Sequence, residues 1–250
     1  MKPIKMLDTF AGIGGFSYAA HKLVGGFETK QFIEIDPFCQ KILNKHFPNV
    51  PIHDDIRTFS AISGQYDVIC GGFPCQSLSV AGNRAGITED SRSGIFYELM
   101  RVILLVRPKY IILENVAAIL NNGLDIVLGE LSQAGYDAEW SVISASTLGA
   151  CHRRSRWWCV AYSNSEGLQR LRAKHELQES SEEREACWSP SRITLKQDWR
   201  RYLSKPLLSR GDDVIPNWIH RSKRIKALGN SLLPAVAAIP LQRVKDLSML

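Results

Sequence analysis

The alternation of short apolar runs with amphipathic segments over the first 160 residues is the feature that most constrains the fold. The strand-like runs are IKMLDTF, KQFIEID, YDVICGG and KYIILENV. The helix-like segments that follow them are GGFSYAAHKL, PFCQKILNKHF, GIFYELMRVILLVR and GLDIVLGELSQAG. Two more strand patterns, AEWSVISA and RWWCVAY, are expected near the edge of the sheet. Strands that alternate with helices predict an α/β fold with a doubly wound, mostly parallel sheet.

Composition divides the chain of 250 residues into three parts. Residues 163–213 contain 10 basic and 9 acidic side chains and have little apolar periodicity. An apolar, alanine-rich helix pattern returns near the end of the chain, with Pro234 close to its start. We therefore expect a large domain at 1–162, a small irregular lobe at 163–222 and a segment at 223–250 that returns to the large domain.

Several protein classes are disfavoured by the composition. No apolar run approaches the roughly 18 residues that a membrane span needs. The N-terminus leads directly into a strand-like run, which is not the pattern of a secretory signal. The six cysteines form no CxxC pair and no Cys/His spacing typical of zinc. These features predict a cytoplasmic protein with reduced thiols and without a metal site.

The formal net charge is +6, and the basic residues are unevenly distributed. Between Arg192 and Lys226 there are 10 Lys and Arg residues and 3 acidic ones, interspersed with Trp199, Tyr202 and Trp218. Cations mixed with aromatic rings are suited to a phosphate backbone with bases that can stack. A solvated, charged surface is the alternative interpretation.

Cys75 lies in a polar loop, GGFPCQSLSVAG, directly after Pro74 and a strand-like run. A structural cysteine is more often found within an apolar run. In parallel α/β sheets the loops at the carboxyl ends of strands bind ligands. Cys75 is therefore a candidate for chemistry with a bound molecule.

The segment DTFAGIGGF is a strand followed by a glycine-rich turn, as in nucleotide-binding folds. It contains Gly12 and Gly14, but Ser17 occupies the third glycine position of a dinucleotide fingerprint. The acidic pair Glu34/Asp36 follows the next predicted strand, and Asp54/Asp55 lie where the end of a further strand is expected. Such acids suit the ribose of an adenosine ligand without phosphates, such as S-adenosylmethionine. An ordinary loop with surface acids, or an NAD-dependent oxidoreductase, would be the alternative.

Two further patterns supply acid and cationic groups. Glu114 ends the apolar run IILENV, where partial burial would raise its pKa and allow it to donate a proton. Arg154 and Arg156 in CHRRSR face the same side of an extended chain and could bind a phosphate, a carboxylate or a base edge. The alternatives are a glutamate that caps a helix and arginines on a solvated edge.

The order of DTFAGIGGF, EID, DDI, FPCQS, ENV, HRRSR and LGNSLLPAVA resembles the DNA (cytosine-5)-methyltransferases from Ile4 to about Ile239. The resemblance implies a Rossmann-like methyltransferase fold, with 1–162 as catalytic domain and 163–222 as target-recognition region. It implies Cys75 as nucleophile, Glu114 as the group that binds and protonates the base, and Arg154 and Arg156 as residues that orient base and phosphate. The implied cofactor contacts are Phe10, Gly12, Gly14, Glu34, Ile35, Asp55, Ile56, Pro74, Asn230 and Ser231. The expected DNA contacts are Gln76, Ser79 and Arg92, with Trp199, Arg200, Arg201, Arg210 and Arg221 from the recognition region.

The implied reaction transfers a methyl group from S-adenosylmethionine to C5 of a flipped-out cytosine in duplex DNA, through a covalent bond between Cys75 and C6. A bacterial or phage-encoded monomer that acts in the cytoplasm is expected. The alternatives are a tRNA cytosine-5 methyltransferase and a catalytically idle DNA-binding relative.

Overall fold

The computed structural model describes residues 2–74, 94–150, 152–164 and 230–249, together with residues 188 and 227. Seven strands lie within these residues: β1 Ile4–Thr9, β2 Phe27–Ile33, β3 Ile52–His53, β4 Val68–Gly72, β5 Tyr110–Val116, β6 Tyr136–Ser144 and β7 Ser155–Ser163. They form one sheet in the order β3-β2-β1-β4-β5-β7-β6. The first five strands pair in parallel, whereas β7 runs antiparallel to both β5 and β6. The predicted α/β fold with a mostly parallel sheet is confirmed.

The described α-helices are α1 Gly15–Tyr18, α2 Pro37–His46, α3 Gly94–Val106, α4 Leu124–Gln133 and α5 Pro234–Leu247, and short 3-10 helices lie at Ala117–Leu120 and Ala145–Leu148. Pro37 begins α2 as predicted, and the Asp36 side chain accepts a hydrogen bond from Phe38 N at 2.8 Å. The segment after β1 differs from the single helix expected there. One α-helical turn continues as a π-helical stretch, Ala19–Val24, whose end is marked by a bond from Gly25 N to Ala20 O.

Helices cover both faces of the sheet. Alternate strand residues such as Leu7 and Ile69 pack against α3 and α4, whereas Met6 and Val68 pack against α1 and α5. The period of two in side-chain direction thus divides the core into two layers. Because α5 comes from the end of the chain and packs beside α1, residues more than 200 positions apart share one core cluster.

β7 lies one position inside the sheet edge, and β6 is the edge strand. The side chains of Trp157 and Trp158 point to opposite faces and are completely buried, at 0% and 1% exposure. On β6, by contrast, Trp140 and Val142 are exposed. Since β7 is antiparallel, its first residues lie at the edge where the five parallel strands end.

The strand order reverses between β1 and β4: β2 and β3 lie on one side of β1, and β4 and β5 on the other. Ligands of open α/β sheets bind at such a reversal, outside the carboxyl ends of the strands. None of the helices in the described ranges is both long enough and apolar enough to cross a bilayer. Trp188, a described residue of the proposed recognition region, packs against the core cluster around α1 and α5.

Candidate active site

A cavity of about 800 Å³ opens at the carboxyl ends of the parallel strands. Its volume is in the range of small-molecule binding sites. Eight of the ten predicted cofactor residues line it: Phe10, Gly12, Glu34, Ile35, Asp55, Ile56, Pro74 and Asn230. Three of the four predicted catalytic residues line the same cavity, namely Glu114, Arg154 and Arg156. The fold therefore brings together residues that are up to 220 positions apart in the sequence.

The glycine-rich turn after β1 forms one wall of the cavity. Phe10 and Gly12 have positive φ angles of 52° and 55°, and the next turn residue, Gly14, has φ 86°. A non-glycine residue in this region is uncommon and is often associated with functional sites. The turn is closed by a hydrogen bond from Gly14 N to Ala11 O at 2.8 Å, which leaves Phe10 and Gly12 facing the cavity.

Glu34 follows β2 directly, and its carboxylate is oriented by two backbone donors. Gly12 N donates to Oε2 at 2.7 Å and Asp36 N donates to Oε1 at 2.8 Å. Burial raises the pKa of Glu34, although these two N–H groups act in the opposite direction. Each carboxylate oxygen has a second lone pair, so the group can also accept from ligand hydroxyls.

The turn after β3 forms the neighbouring wall. Asp55 Oδ1 accepts from Arg57 N at 3.0 Å, and Asp55 O accepts from Thr58 N at 3.1 Å. Ile56 is buried, whereas Ile35 is 64% exposed and contributes an apolar surface to the cavity. Carboxylates between apolar side chains are suited to a ligand that combines a sugar with a flat ring.

Gly14 and Ser231, two predicted cofactor contacts, are not among the residues that line the cavity. Gly14 faces α2 instead: a Cβ atom there would lie 2.9 Å from Phe47 Cε2 and 3.0 Å from Leu43 Cδ2. Ser231 O accepts a hydrogen bond from Arg154 Nη2 at 2.6 Å. The geometry thus associates Gly14 with the packing of α1 on α2, and Ser231 with the orientation of Arg154.

Glu114 and Arg156 form an ion pair, with 3.1 Å between Arg156 Nε and Glu114 Oε1. Both side chains are largely buried, with exposures of 14% and 22%. Burial raises the pKa of Glu114 above its ordinary value, although Arg156 and Arg154 oppose the shift. Burial, and next the neighbouring Arg156, lower the pKa of Arg154. The carboxyl group therefore holds its proton closer to neutral pH than an exposed glutamate does.

The direction of β7 explains why these groups meet. Glu114 on β5 is opposite Trp158 on β7, and Arg156 lies on β7 two residues before Trp158. Such diagonal neighbours share one face of the sheet. A parallel β7 would begin at the opposite edge, and its first arginines would lie away from Glu114.

Gly72 and Asn115 shape the wall between β4 and β5. A Cβ atom at Gly72 would lie 3.0 Å from Glu114 Oε2, so a larger residue would crowd the carboxylate. Asn115 Nδ2 donates to Phe73 O at 3.3 Å and Asn115 Oδ1 accepts from Val116 N at 2.8 Å. Sequence reasoning missed Asn115 as a site residue, although a polar residue beside Glu114 in an apolar strand was a signal.

Pro74 lines the cavity, and the next residue in the chain is Cys75. The following predicted site residues lie outside the described residues: Cys75, Gln76, Ser79, Arg92, Trp199, Arg200, Arg201, Arg210 and Arg221. Their roles stay predictions. Within the described ranges, no cluster of His, Cys, Asp and Glu could hold a metal ion.

Asp8 is a second residue that sequence reasoning missed. It is fully buried in β1, and its Oδ2 accepts from Ser17 Oγ at 2.6 Å and from Ser17 N at 3.2 Å. Its Oδ1 has no hydrogen-bond partner among the described residues. Burial raises the pKa of Asp8 from 3.8 to about 7, against the two bonds from Ser17. An acidic residue inside the apolar run IKMLDTF was the available signal.

Comparison with known proteins gives consistent matches. A sequence model of the family described as C-5 cytosine-specific DNA methylase matches residues 4–244. Type II methyltransferase M.CviJI of Paramecium bursaria Chlorella virus IL3A is 36% identical over 160 residues, which cover 63% of this chain and 42% of that protein. Type II methyltransferase M.HhaI of Haemophilus parahaemolyticus is 28% identical over 170 residues, which cover 66% of this chain and 51% of that protein.

Among solved structures, the S. pombe Dnmt2 methyltransferase superposes with a TM-score of 0.54 and 26% identity, over 65% of this chain and 51% of that one. The chain matches about half or less of the length of the curated relatives. The family match, by contrast, extends from the first strand to the last described helix. The chain therefore belongs to the C-5 cytosine-specific DNA methylase family.

Proposed function

We propose that the protein transfers a methyl group from S-adenosylmethionine to C5 of a cytosine in duplex DNA. One observation carries the proposal: a single cavity joins the Glu34 wall to the Glu114–Arg156 pair and reaches Pro74, the residue before Cys75. A methyl donor and a base bound in the two halves would be neighbours beside the thiol.

The residues on the first half suit S-adenosylmethionine. The fixed Glu34 carboxylate can accept from ribose hydroxyls, while Phe10, Ile35 and Ile56 offer apolar surface to an adenine ring. Gly12 lines the cavity, and a Cβ atom there would meet nothing within 4 Å, so the wall at this turn is open. When bound, S-adenosylmethionine supplies an electrophilic methyl group.

Cys75 and Glu114 would supply the other half of the reaction. The Cys75 thiolate adds to C6 of cytosine, and the C5–C6 electron pair moves toward C5. Glu114, with its raised pKa, donates its proton or a hydrogen bond to N3 and stabilises the charge that develops in the ring. C5 then takes the methyl group, which leaves S-adenosylhomocysteine as the product. A base removes the C5 proton, and the electron pair left behind re-forms the C5–C6 double bond and expels the thiolate. Any proton that N3 received returns to Glu114.

The arginines have a positioning role in this proposal. Arg156 holds the Glu114 carboxyl at 3.1 Å, and Arg154 is anchored on Ser231 O at 2.6 Å. Both guanidinium groups line the cavity and can donate to the base or a nearby phosphate. With two cations facing it, Glu114 also stays oriented when the substrate is absent.

The substrate and the working state are part of the proposal. Cytosine C6 is inaccessible inside a duplex, so the base must be flipped out, at a cost of a few kcal/mol. Residues 1–162 and 223–250 would form the catalytic body, and 163–222, with Arg200, Arg201 and Arg210, would bind the target sequence. We propose that the chain acts as a monomer in the cytoplasm. Sedimentation with and without a short duplex would test the monomer.

The test is transfer of labelled methyl from S-adenosylmethionine to unmethylated duplex DNA, with the product nucleoside identified. Cys75→Ser removes the proposed nucleophile, and Cys159→Ala, which removes a buried thiol of β7 that does not line the cavity, is the control. 5-Methylcytosine from the wild type and the control, but not from Cys75→Ser, is expected. Methyl transfer to tRNA but not to DNA would change the proposed substrate from DNA to tRNA. Binding of S-adenosylhomocysteine without any transfer would identify an idle relative and overturn the proposal.

A further inference from the structure

Arg101 on α3 makes an unusual set of contacts for a residue outside the cavity. Its Nη2 donates to Ile56 O at 2.6 Å and to Arg57 O at 3.2 Å, and its Nη1 donates to Phe59 O at 3.1 Å. Its Nε donates to Glu98 Oε2 at 2.7 Å, one turn earlier on the same helix. All three nitrogens of the guanidinium are thus engaged.

The three carbonyls belong to the segment between β3 and β4, which has no helix or strand over residues 54–67. Three backbone hydrogen bonds form within this segment: Thr58 N to Asp55 O at 3.1 Å, Phe59 N to Ile56 O at 3.3 Å and Gln65 N to Ile62 O at 3.2 Å. Asp55 and Ile56 in this segment form a wall of the cavity. A segment without regular backbone pairing needs other donors to hold its carbonyls in place.

Arg101 contacts this wall without lining the cavity itself. Arg101 is not among the cavity-lining residues, and its side chain is 36% exposed. The planar fork of a guanidinium can bind several carbonyls in a fixed arrangement, which a lysine ammonium cannot. Glu98, itself 33% exposed, holds the fork in orientation. The contacts therefore join α3 to the backbone of Ile56, which follows Asp55 directly, and to Arg57 and Phe59 after it.

We propose that Arg101 is a positioning residue for the cofactor site, because it holds Asp55 and Ile56 in their binding arrangement. This inference rests on the proposed function, in which those residues contact S-adenosylmethionine. Without the guanidinium, the carbonyls of Ile56, Arg57 and Phe59 lose this donor, and the wall has to be ordered when the ligand binds. The loss of Arg101 therefore weakens cofactor binding and leaves the chemical step unchanged, because Arg101 touches no reacting atom.

The test compares the Kd for S-adenosylhomocysteine, by calorimetry, with kcat and with KM for S-adenosylmethionine. Arg101→Gln is expected to raise the Kd and the KM by about tenfold, as for lost hydrogen bonds to a charged group. The value of kcat at saturating cofactor is expected to stay within about twofold of the wild type. Arg101→Lys should restore part of the affinity, because it retains the charge without the fork.

Arg107→Gln is the matched control. Arg107 follows α3 directly, and its Nη1 donates to Ala134 O at 2.8 Å, at the far end of α4. It also joins α3 to another backbone segment, but it does not line the cavity. The control should lower the thermal midpoint and leave the Kd for S-adenosylhomocysteine unchanged.

Three outcomes would overturn the inference. The first is an unchanged Kd in folded Arg101→Gln, and the second is an equal rise in Kd in Arg107→Gln. If Arg101→Gln does not fold, Arg101→Lys and Glu98→Gln are measured in its place. The third outcome is that both of these variants bind S-adenosylhomocysteine with wild-type affinity. A wild-type protein that binds no S-adenosylhomocysteine would overturn the proposed function itself, which distinguishes that failure from these.

Discussion

Glu114 is subject to two opposing electrostatic effects at the scale of a single residue. Burial at the end of β5 disfavours its charged form, and the two arginines favour it. Burial has the larger effect, so the pKa of Glu114 is raised. The arginines keep the carboxyl oriented while the buried environment lets it retain a proton, and both properties suit an acid that must bind N3 of a base.

Glu114→Gln tests that role. Glutamine has the same shape and can still donate a hydrogen bond, but it has no proton to transfer. We expect kcat for methyl transfer to fall by about 100-fold or more, as for loss of a general acid. Binding of S-adenosylhomocysteine should be unaffected. Full activity in the folded variant would show that neither the charge nor the proton of Glu114 is needed.

The buried carboxyl of Asp8 makes stability depend on pH. Its pKa is raised to about 7, so between pH 3.8 and about 7 the folded state holds a proton that the unfolded state has lost. Stability from this group is therefore fully present below pH 3.8 and lost as the pH rises through about 7. The loss amounts to about 1.4 kcal/mol per pH unit across that window.

Asp8→Asn should remove this dependence. Urea unfolding at about pH 5 and about pH 7 measures the free energy of unfolding for both proteins. Relative to the variant, the wild type should lose about 2 kcal/mol between the two conditions. Asp125→Asn, which neutralises an exposed aspartate on α4, is the control and should retain the wild-type slope. An equal slope in Asp8→Asn would contradict the assignment.

At the scale of elements, α1 packs unusually close to the C-terminal segment. A Cβ atom at Gly15 would lie 2.7 Å from Leu232 Cδ1 and 2.8 Å from its Cγ. Gly129 in α4 is also helical, but a Cβ atom there would meet nothing within 4 Å. The two positions therefore separate the intrinsic helix preference for alanine from the effect of crowding.

We expect opposite effects of alanine at these positions. Gly15→Ala should lower the free energy of unfolding by about 1–3 kcal/mol, because Leu232 has to move. Gly129→Ala should raise it by about 0.5–1 kcal/mol, since alanine restricts the unfolded chain and favours the helix. Chemical unfolding of both variants is the measurement. A neutral Gly15→Ala would mean that Leu232 moves aside at no cost.

Strand direction is the element property that sequence patterns do not contain. RWWCVAY predicts a strand, and β7 is one, but its periodicity is the same in either direction. The antiparallel pairing with β5 and β6 places Arg156 beside Glu114. The motif order predicted which residues belong to the site, and the pairing decided how they face one another.

At the scale of the whole molecule, the net charge of +6 favours a polyanionic partner. If the partner is DNA, binding releases counterions, and the affinity falls as salt rises. We expect the Kd for a short duplex to rise by more than about tenfold between roughly 50 and 200 mM salt. The Kd for S-adenosylhomocysteine, measured in parallel, should change little. A salt-independent Kd for DNA would contradict a phosphate-dominated interface.

The sequence alone determined the α/β class, the order of six of the seven described strands with the helices between them, and the chemical groups at the strand ends. Local periodicity, Pro37 at a helix start and acids directly after apolar runs are properties of neighbouring residues, so they can be seen without a structure. Tertiary structure decided the direction of β7, the burial of Asp8 and the contact of Arg101 with Ile56, 45 positions away. Those features depend on long-range pairing and packing, which no local pattern encodes.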